Sequence, residues 1–472
     1  MIESHIEKKL GENLGHQPTN DQLNAIKAIV LFIAGNTNDS IFLLTGYAGT
    51  GKTSLISAIV HTLESFNIES VLLAPTGRAA KVLASYTGRS SFTIHKHIYR
   101  QKSSSDGMGM FELDRNMHSD AFFIIDEASM ISGETAEVSV FGSGCLLDDL
   151  IEYVYRGRNC KLILVGDSAQ LPPVGSALSP ALSSQDLSLY GFNIETAELR
   201  DVVRQTRESG ILMNATYVRR KITDNDLSIP EFKIEGFDDI FRITGETMLE
   251  EIEAAYSYAG TDGTVIIVNS NRMANRYNEG IRNRILYREE EVSAGDMLMI
   301  VKNNYFWANK EEELDFIANG DMARIKKVVK KEERYGFRFA DMILDFIDYS
   351  VELEVKVLLD TLSSETASLS GEQNKMLFEN ILEDYSGMST KKKRYDAVRN
   401  DPYFNAMQIK FAYAVTCHKA QGGQWERVFI DQGMFNRQEP TLDYLRWLYT
   451  AVTRATDRLY LVNFLPAFFG DD

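Results

Sequence analysis

The chain has 472 residues, room for two to four domains, and its 44% apolar and 25% charged composition is that of an ordinary globular protein. A formal charge of −17 excludes a broadly basic surface, so any nucleic-acid contact must be a local groove. No run approaches the roughly 18 apolar residues of a membrane span, Met1 to His5 lack the basic-then-apolar pattern expected of a leader, and Cys145, Cys160 and Cys417 are too scattered for a disulfide framework or a zinc site. A reduced, cytoplasmic protein with no membrane association is expected.

Residues 1–17 are polar and read as a helical lead-in. An amphipathic run from Leu23 to Ile33 follows, with Thr19 or Asn20 as its cap. The Gln22 amide carries both a donor and an acceptor, as an adenine edge requires; on its own it reads first as a surface residue. Ile41-Phe42-Leu43-Leu44 is a short buried strand, and Thr53 to Leu63 has helical spacing. Between them lies Gly46-Tyr47-Ala48-Gly49-Thr50-Gly51-Lys52-Thr53, a P-loop pattern in the required strand–helix context. Backbone N–H groups from Gly46, Ala48, Gly49, Thr50 and Gly51 to Ser54 would cradle phosphates at a helix N-terminus. Lys52 would add a full charge and Thr53 a hydroxyl for Mg²⁺. The pattern implies binding of a nucleoside triphosphate.

Ser70 to Ala74 reads as a second strand, followed by Pro75-Thr76-Gly77-Arg78-Ala79-Ala80-Lys81 at the carboxyl end where open α/β sheets bind ligands. Residues 91–120, after Thr93-Ile94-His95, turn polar and read as an inserted hairpin. Met110 and Phe111 are either an exposed tip able to wedge between bases or a local mini-core. Ala121 to Ile125 is a third strand, ending in Asp126-Glu127-Ala128-Ser129. Here Asp126 would hold Mg²⁺ and Glu127 polarise the attacking water. Lys161 to Val165 is a fourth strand, leading to Gly166-Asp167-Ser168-Ala169-Gln170-Leu171-Pro172-Pro173, with Gln170 placed to sense the γ-phosphate. Repeated strand–turn–helix units predict a parallel sheet.

This ordered set resembles the motifs of superfamily 1 DNA helicases, and the segments around Thr76 and His95 resemble the RecD/Dda branch, which moves 5′→3′ on single strands. The resemblance implies two RecA-like P-loop NTPase domains, 1–90 with 121–203 and 204–290 with 406–472. It implies that Gln22 reads adenine, that Pro75, Thr76, Arg78, Thr93 and His95 line the single-strand path, and that Phe111 belongs to a strand-separating pin. Glu198 to Thr206 resembles the fourth motif, which makes Arg204 the arginine reaching the γ-phosphate, with Arg200 the competing candidate.

Thr264 to Val268, ending near Asn271, starts a second α/β set with no second P-loop. Asn271 is taken as a DNA contact. Residues 291–405 are β-rich at Met297–Val301, Ala323–Val329 and Phe337–Leu359, then polar and helical. The family carries an SH3-like β-barrel insertion at this place. Lys391-Lys392-Lys393-Arg394 is either a phosphate contact or a solvated face. Gln408 to Val415 reads as one strand, followed by Thr416-Cys417-His418-Lys419-Ala420-Gln421-Gly422. By resemblance Thr416, His418 and Lys419 grip DNA while Gln421 and Gly422 face the nucleotide. Leu448 to Ala455 resembles the sixth motif, with Arg454 as the second arginine on the γ-phosphate. The expected cofactors are ATP and Mg²⁺. The expected partners are single-stranded DNA, its junctions with duplex, and replication or repair proteins; the expected state is a monomer. A DNA translocase that displaces proteins, or an NTP-driven switch acting on a protein, are the competing functions.

Overall fold

The computed structural model describes residues 2–35, 39–101, 111–133, 141–173, 175–202, 209–308, 317–347, 349, 351–366, 368–433 and 439–471. The first lobe opens with α1 (Ile2–Leu14) and α2 (Asn20–Ala34). Thr19 caps α2 in a full capping box with Gln22. The β/α units that follow are β1 (Ser40–Gly46), α3 (Lys52–Ser65), β2 (Ser70–Ala74), α4 (Gly77–Thr87), β3 (Ser91–Thr93) and the short α5 (Ile94–Ile98). A hairpin, β4 (Tyr99–Gln101) with β5 (Phe111–Leu113), interrupts them. Then come β6 (Phe122–Ile125), α6 (Leu146–Arg156), β7 (Lys161–Gly166), α7 (Ser184–Ser188) and β8 (Asn193–Leu199). All six main strands are parallel, in the order β3-β2-β6-β7-β1-β8. Because β3 joins this sheet, the insertion expected at 91–120 begins only at Tyr99, where β4 pairs with β5.

The second lobe contains α8 (Gly210–Asp224), β9 (Ile240–Ile243), α9 (Met248–Ala259), β10 (Thr264–Val268) and α10 (Asn271–Arg284). An insertion follows: β11 (Met297–Ile300), β12 (Met322–Arg334), β13 (Phe337–Phe346), β14 (Val351–Leu358), α11 (Asp360–Ser363), α12 (Gly371–Asp384), α13 (Lys391–Arg399) and β15 (Met407–Phe411). The chain then returns through β16 (Ala414–Thr416), α14 (Cys417–Ala420), β17 (Trp425–Asp431), α15 (Leu442–Val452) and β18 (Ala455–Val462). This second sheet is also parallel, in the order β16-β10-β17-β18-β9.

β11 to β15 close into a barrel around Leu298, Ile300, Met342, Leu344, Phe346, Val355 and Ile409. The single strand expected over Gln408–Val415 is therefore two. Its first half seals the barrel and its second half enters the lobe's sheet, so the insertion ends near residue 411, not 405. Lys391 to Arg394 form the first turn of α13 on the barrel's helical extension, with the three lysines exposed and Arg394 half-buried. Asp296, fully buried, fastens the barrel's entry: it accepts from Arg282 Nε (3.0 Å), Tyr413 Oη (2.8 Å) and Ser293 N (2.7 Å), and pairs with Arg288.

Candidate active site

The P-loop joins β1 to α3, and its sequence explains its shape. Gly49 and Gly51 hold φ of +74° and +85°, the left-handed region that glycine tolerates without strain. A Cβ on Gly46 would stand 2.9 Å from Leu199 Cβ, so the loop's entry also requires glycine. Thr50 Oγ1 donates to Tyr47 O (2.7 Å) and stiffens the turn. Lys52 Nζ donates to Gly46 O (2.7 Å) and Tyr47 O (2.9 Å) and stands 3.8 Å from Asp167 Oδ2.

Gln22 is fully buried, which overturns its reading as a surface residue. Its Oε1 accepts from Thr19 N (3.0 Å) and its Nε2 donates to Thr50 O (3.1 Å), so the amide braces the P-loop from behind.

Asp126 and Glu127 follow β6 onto the same floor. Glu127 N donates to Asp126 Oδ1 (2.9 Å), and Glu127 takes a left-handed φ of +54°, a backbone cost that a loop carries when its side-chain position matters. Burial, and then the neighbouring Glu127 charge, push the Asp126 carboxyl up to about 7. Gln170, 6% exposed, lines the same cavity, and its Oε1 has no hydrogen-bond partner among the described residues.

The opposite wall comes from the second lobe. Arg454, 4% exposed, donates from Nε to Thr450 O (3.0 Å), from Nη1 to Gly423 O (3.2 Å) and from Nη2 to Thr453 Oγ1 (3.2 Å). Its Nη1 is 3.9 Å from Glu127 Oε1. Gln421 Nε2 donates to Leu171 O (2.6 Å), and Leu171 N donates to Thr450 Oγ1 (2.8 Å). Gly422 is held at φ +72°, and a Cβ there would reach Ala79 Cβ at 2.9 Å, so only glycine lets the lobes approach this closely. Lys52, Thr53, Ser54, Asp126, Glu127, Gln170, Gly422 and Arg454 all line one cavity of about 660 Å³ between the lobes.

Asp167 and Tyr449 also belong to this site, and sequence reasoning did not assign them roles. Tyr449 Oη donates to Asp167 Oδ2 (2.6 Å) and accepts from Ala48 N (2.9 Å), so a side chain of α15 reaches the P-loop itself. Asp167 lay inside a quoted motif, but its partner is 282 residues away.

The residues expected to contact DNA divide into two groups. Thr76, Arg78, His418 and Lys419 line one small cavity of about 140 Å³, with Asn319 from the barrel and Trp425. The Arg78 guanidinium lies 3.9 Å above the Trp425 ring, and its Nη2 donates to Gln424 O (3.1 Å). Burial lowers Lys419 to about 8. Asn271 and Thr416 lie beside Lys419 around an adjoining cleft. Pro75 begins the turn from β2 into α4.

Thr93, His95 and Phe111 are apart from that groove. Thr93 Oγ1 caps α5 by accepting from Lys96 N (3.2 Å). His95 packs 4.9 Å from Phe141, and burial lowers it to about 4. Phe111 is 4% exposed, 5.0 Å from Phe141 and 4.8 Å from Tyr305, so it is mini-core and not an exposed wedge. Met110 lies outside the described residues, as does Arg204. Arg200, its competitor, is an exposed side chain bonded to Glu198 (2.5 Å).

An AAA domain model matches residues 17–226, and a UvrD-like helicase C-terminal domain model matches 411–462. The ATP-dependent RecD2 DNA helicase of Deinococcus radiodurans is 25% identical over 89% of this chain, which spans 46% of that protein. The ATP-dependent DNA helicase dda of Enterobacteria phage T4 is 23% identical, over 89% of this chain and 93% of its own. Pif1 helicase from Bacteroides, solved with ADP-AlF3 and single-stranded DNA, aligns over 96% of this chain and 94% of its own at 15% identity and a TM-score of 0.48. With its motifs in order around one cleft, two matching domain models and relatives that cover most of its length, the chain is RecD/Dda-like, similar to the superfamily 1 helicases of that branch.

Proposed function

We propose that this protein is an ATP-dependent DNA helicase that moves 5′→3′ along single-stranded DNA and opens duplex at single-strand/duplex junctions. One observation carries the reading: Arg454 of the second lobe stands 3.9 Å from Glu127 of the first, across the cavity that holds the P-loop. Catalytic groups divided between two lobes make hydrolysis depend on closure, and closure is motion. The single-strand grips are divided in the same way, Thr76 and Arg78 on one lobe, His418 and Lys419 on the other. Closing the cleft therefore shifts one grip along the strand relative to the other.

ATP fits the cavity's chemistry: a glycine-shaped loop, an ammonium and a buried guanidinium around one cleft. Thr53 and Asp126 would hold Mg²⁺, whose charge offsets that developing on the phosphates. Glu127 orients the attacking water, and Arg454 stabilises transition-state charge. Contacts to the strand are phosphate hydrogen bonds and stacking, so base preference should be slight. The protein would act as a monomer in the cytoplasm, in keeping with three free, buried cysteines. Replication or repair proteins would be its partners.

The test is steady-state ATPase with and without a single-stranded oligonucleotide, with Lys52→Ala as blank, followed by unwinding of 5′- and 3′-tailed duplexes. Stimulation lost in the blank and unwinding from the 5′ tail are expected. An ATPase indifferent to DNA would favour the protein-partner switch.

A further inference from the structure

Lys52 faces a competitor for its charge. Asp167, 1% exposed, presents Oδ2 only 3.8 Å from the Lys52 ammonium, within a small movement of a charge-assisted hydrogen bond at ~2.8 Å. A buried carboxylate that captured this ammonium would hold it away from any phosphate. The same oxygen, however, already accepts from the Tyr449 hydroxyl at 2.6 Å, which takes one of its lone pairs and weakens its pull on the ammonium. That hydroxyl cannot turn away freely, because its oxygen also accepts from Ala48 N at 2.9 Å. Burial, and then the Asp167 charge, raise the phenol far above its ordinary value, so it remains a neutral donor. Oδ1 of the same carboxylate is spent on Ala169 N (3.0 Å). Lys52 meanwhile donates to the carbonyls of Gly46 and Tyr47, weaker partners that phosphate oxygens can displace.

We propose that Tyr449 is a positioning residue: by donating to Asp167 Oδ2 it keeps Lys52 available to the nucleotide. This rests on the reading of the P-loop as an ATP site. The residue sits on α15, five positions before Arg454, so the helix that delivers the arginine also sets the lysine. A second lobe that swings away removes both at once, and an open cleft binds nucleotide weakly.

The experiment measures the equilibrium Kd of a fluorescent ATP analogue, and kcat and KM for ATP, in the full-length protein carrying Tyr449→Phe, Asp167→Asn, or both. Phenylalanine keeps the ring in its buried seat and removes only the hydroxyl. Tyr449→Phe should raise Kd about tenfold, the scale of one buried charge-assisted hydrogen bond. Adding Asp167→Asn should return Kd to within about threefold of wild type, because the amide cannot hold the ammonium as an ion pair. A merely structural tyrosine would give a defect that the second substitution deepens. An unchanged Kd in Tyr449→Phe, or a defect not relieved in the double variant, overturns the proposal. If Tyr449→Phe does not fold, Asp167→Asn decides alone: tighter binding supports the proposal, and unchanged or weaker binding overturns it. Wild-type protein that neither binds nor hydrolyses ATP would instead sink the underlying reading of the site.

Discussion

Removing Arg454 is the sharpest test of the divided active site. Its guanidinium spends three N–H groups on Thr450 O, Gly423 O and Thr453 Oγ1, which fix the plane of the fork, and faces Glu127 at 3.9 Å. An arginine finger is worth ~10³-fold or more in rate, or ~4 kcal/mol of barrier. Arg454→Ala should therefore lower kcat about a thousandfold at saturating ATP and single-stranded DNA. Its effect on ATP Kd should stay under about tenfold, since the group acts mainly on the transition state. Arg454→Lys keeps the charge but replaces a planar fork by a point donor, and should fall between, near ~10²-fold. Single-turnover hydrolysis together with equilibrium nucleotide binding separates the two effects. The reasoning fails if Arg454→Ala keeps kcat within tenfold of wild type, or if Kd worsens as much as kcat falls.

Phe111→Ala removes a ring packed on Phe141 and Tyr305 and should cost ~3 kcal/mol of stability, seen as a lower first melting transition. Asp296→Ala strips a buried carboxylate from Arg282 and Arg288 and should cost ~3–5 kcal/mol, read as loss of the barrel's protease resistance. The Asp126 carboxyl sits at about 7 in the folded protein against an ordinary 3.8. Between those values the folded state keeps a proton the unfolded chain has lost, so this group's contribution to stability is full below about pH 4 and disappears as pH rises through 7. Melting temperature in chelator should accordingly fall from pH 5 to pH 8 more steeply in wild type than in Asp126→Asn, and Mg²⁺ should flatten the difference.

The sheets were legible because buried parallel strands are short apolar runs, and because the P-loop needs a local sequence that few other structures need. Lys52, Asp126 and Gln170 could be placed from their strand ends alone. What could not be read was contact across long separations. Nothing near Tyr449 announces Asp167, and nothing near Phe111 announces Tyr305. The run Gln408–Val415 looks like one strand because both halves are buried. That the chain leaves one β-structure and enters another within it depends on Ala412 and Tyr413 finding Met297. Strand β8, Asn193–Leu199, was missed for a related reason: at the sheet's edge its residues are only partly covered, and its polar side chains hide the pattern.

That two-residue passage from β15 to β16 has a mechanical consequence. Tyr413 Oη accepts from Met297 N (3.2 Å), and Ala412 N donates to Met297 O (3.0 Å), so the barrel's way in and way out are riveted at one point. With no slack there, barrel and second lobe travel as one lever. The barrel also rests on the first lobe, where Lys81 Nζ donates to Ile347 O (2.8 Å) and Tyr349 crowds Gly77. Any rotation of the second lobe that carries the barrel with it would have to break that contact with α4.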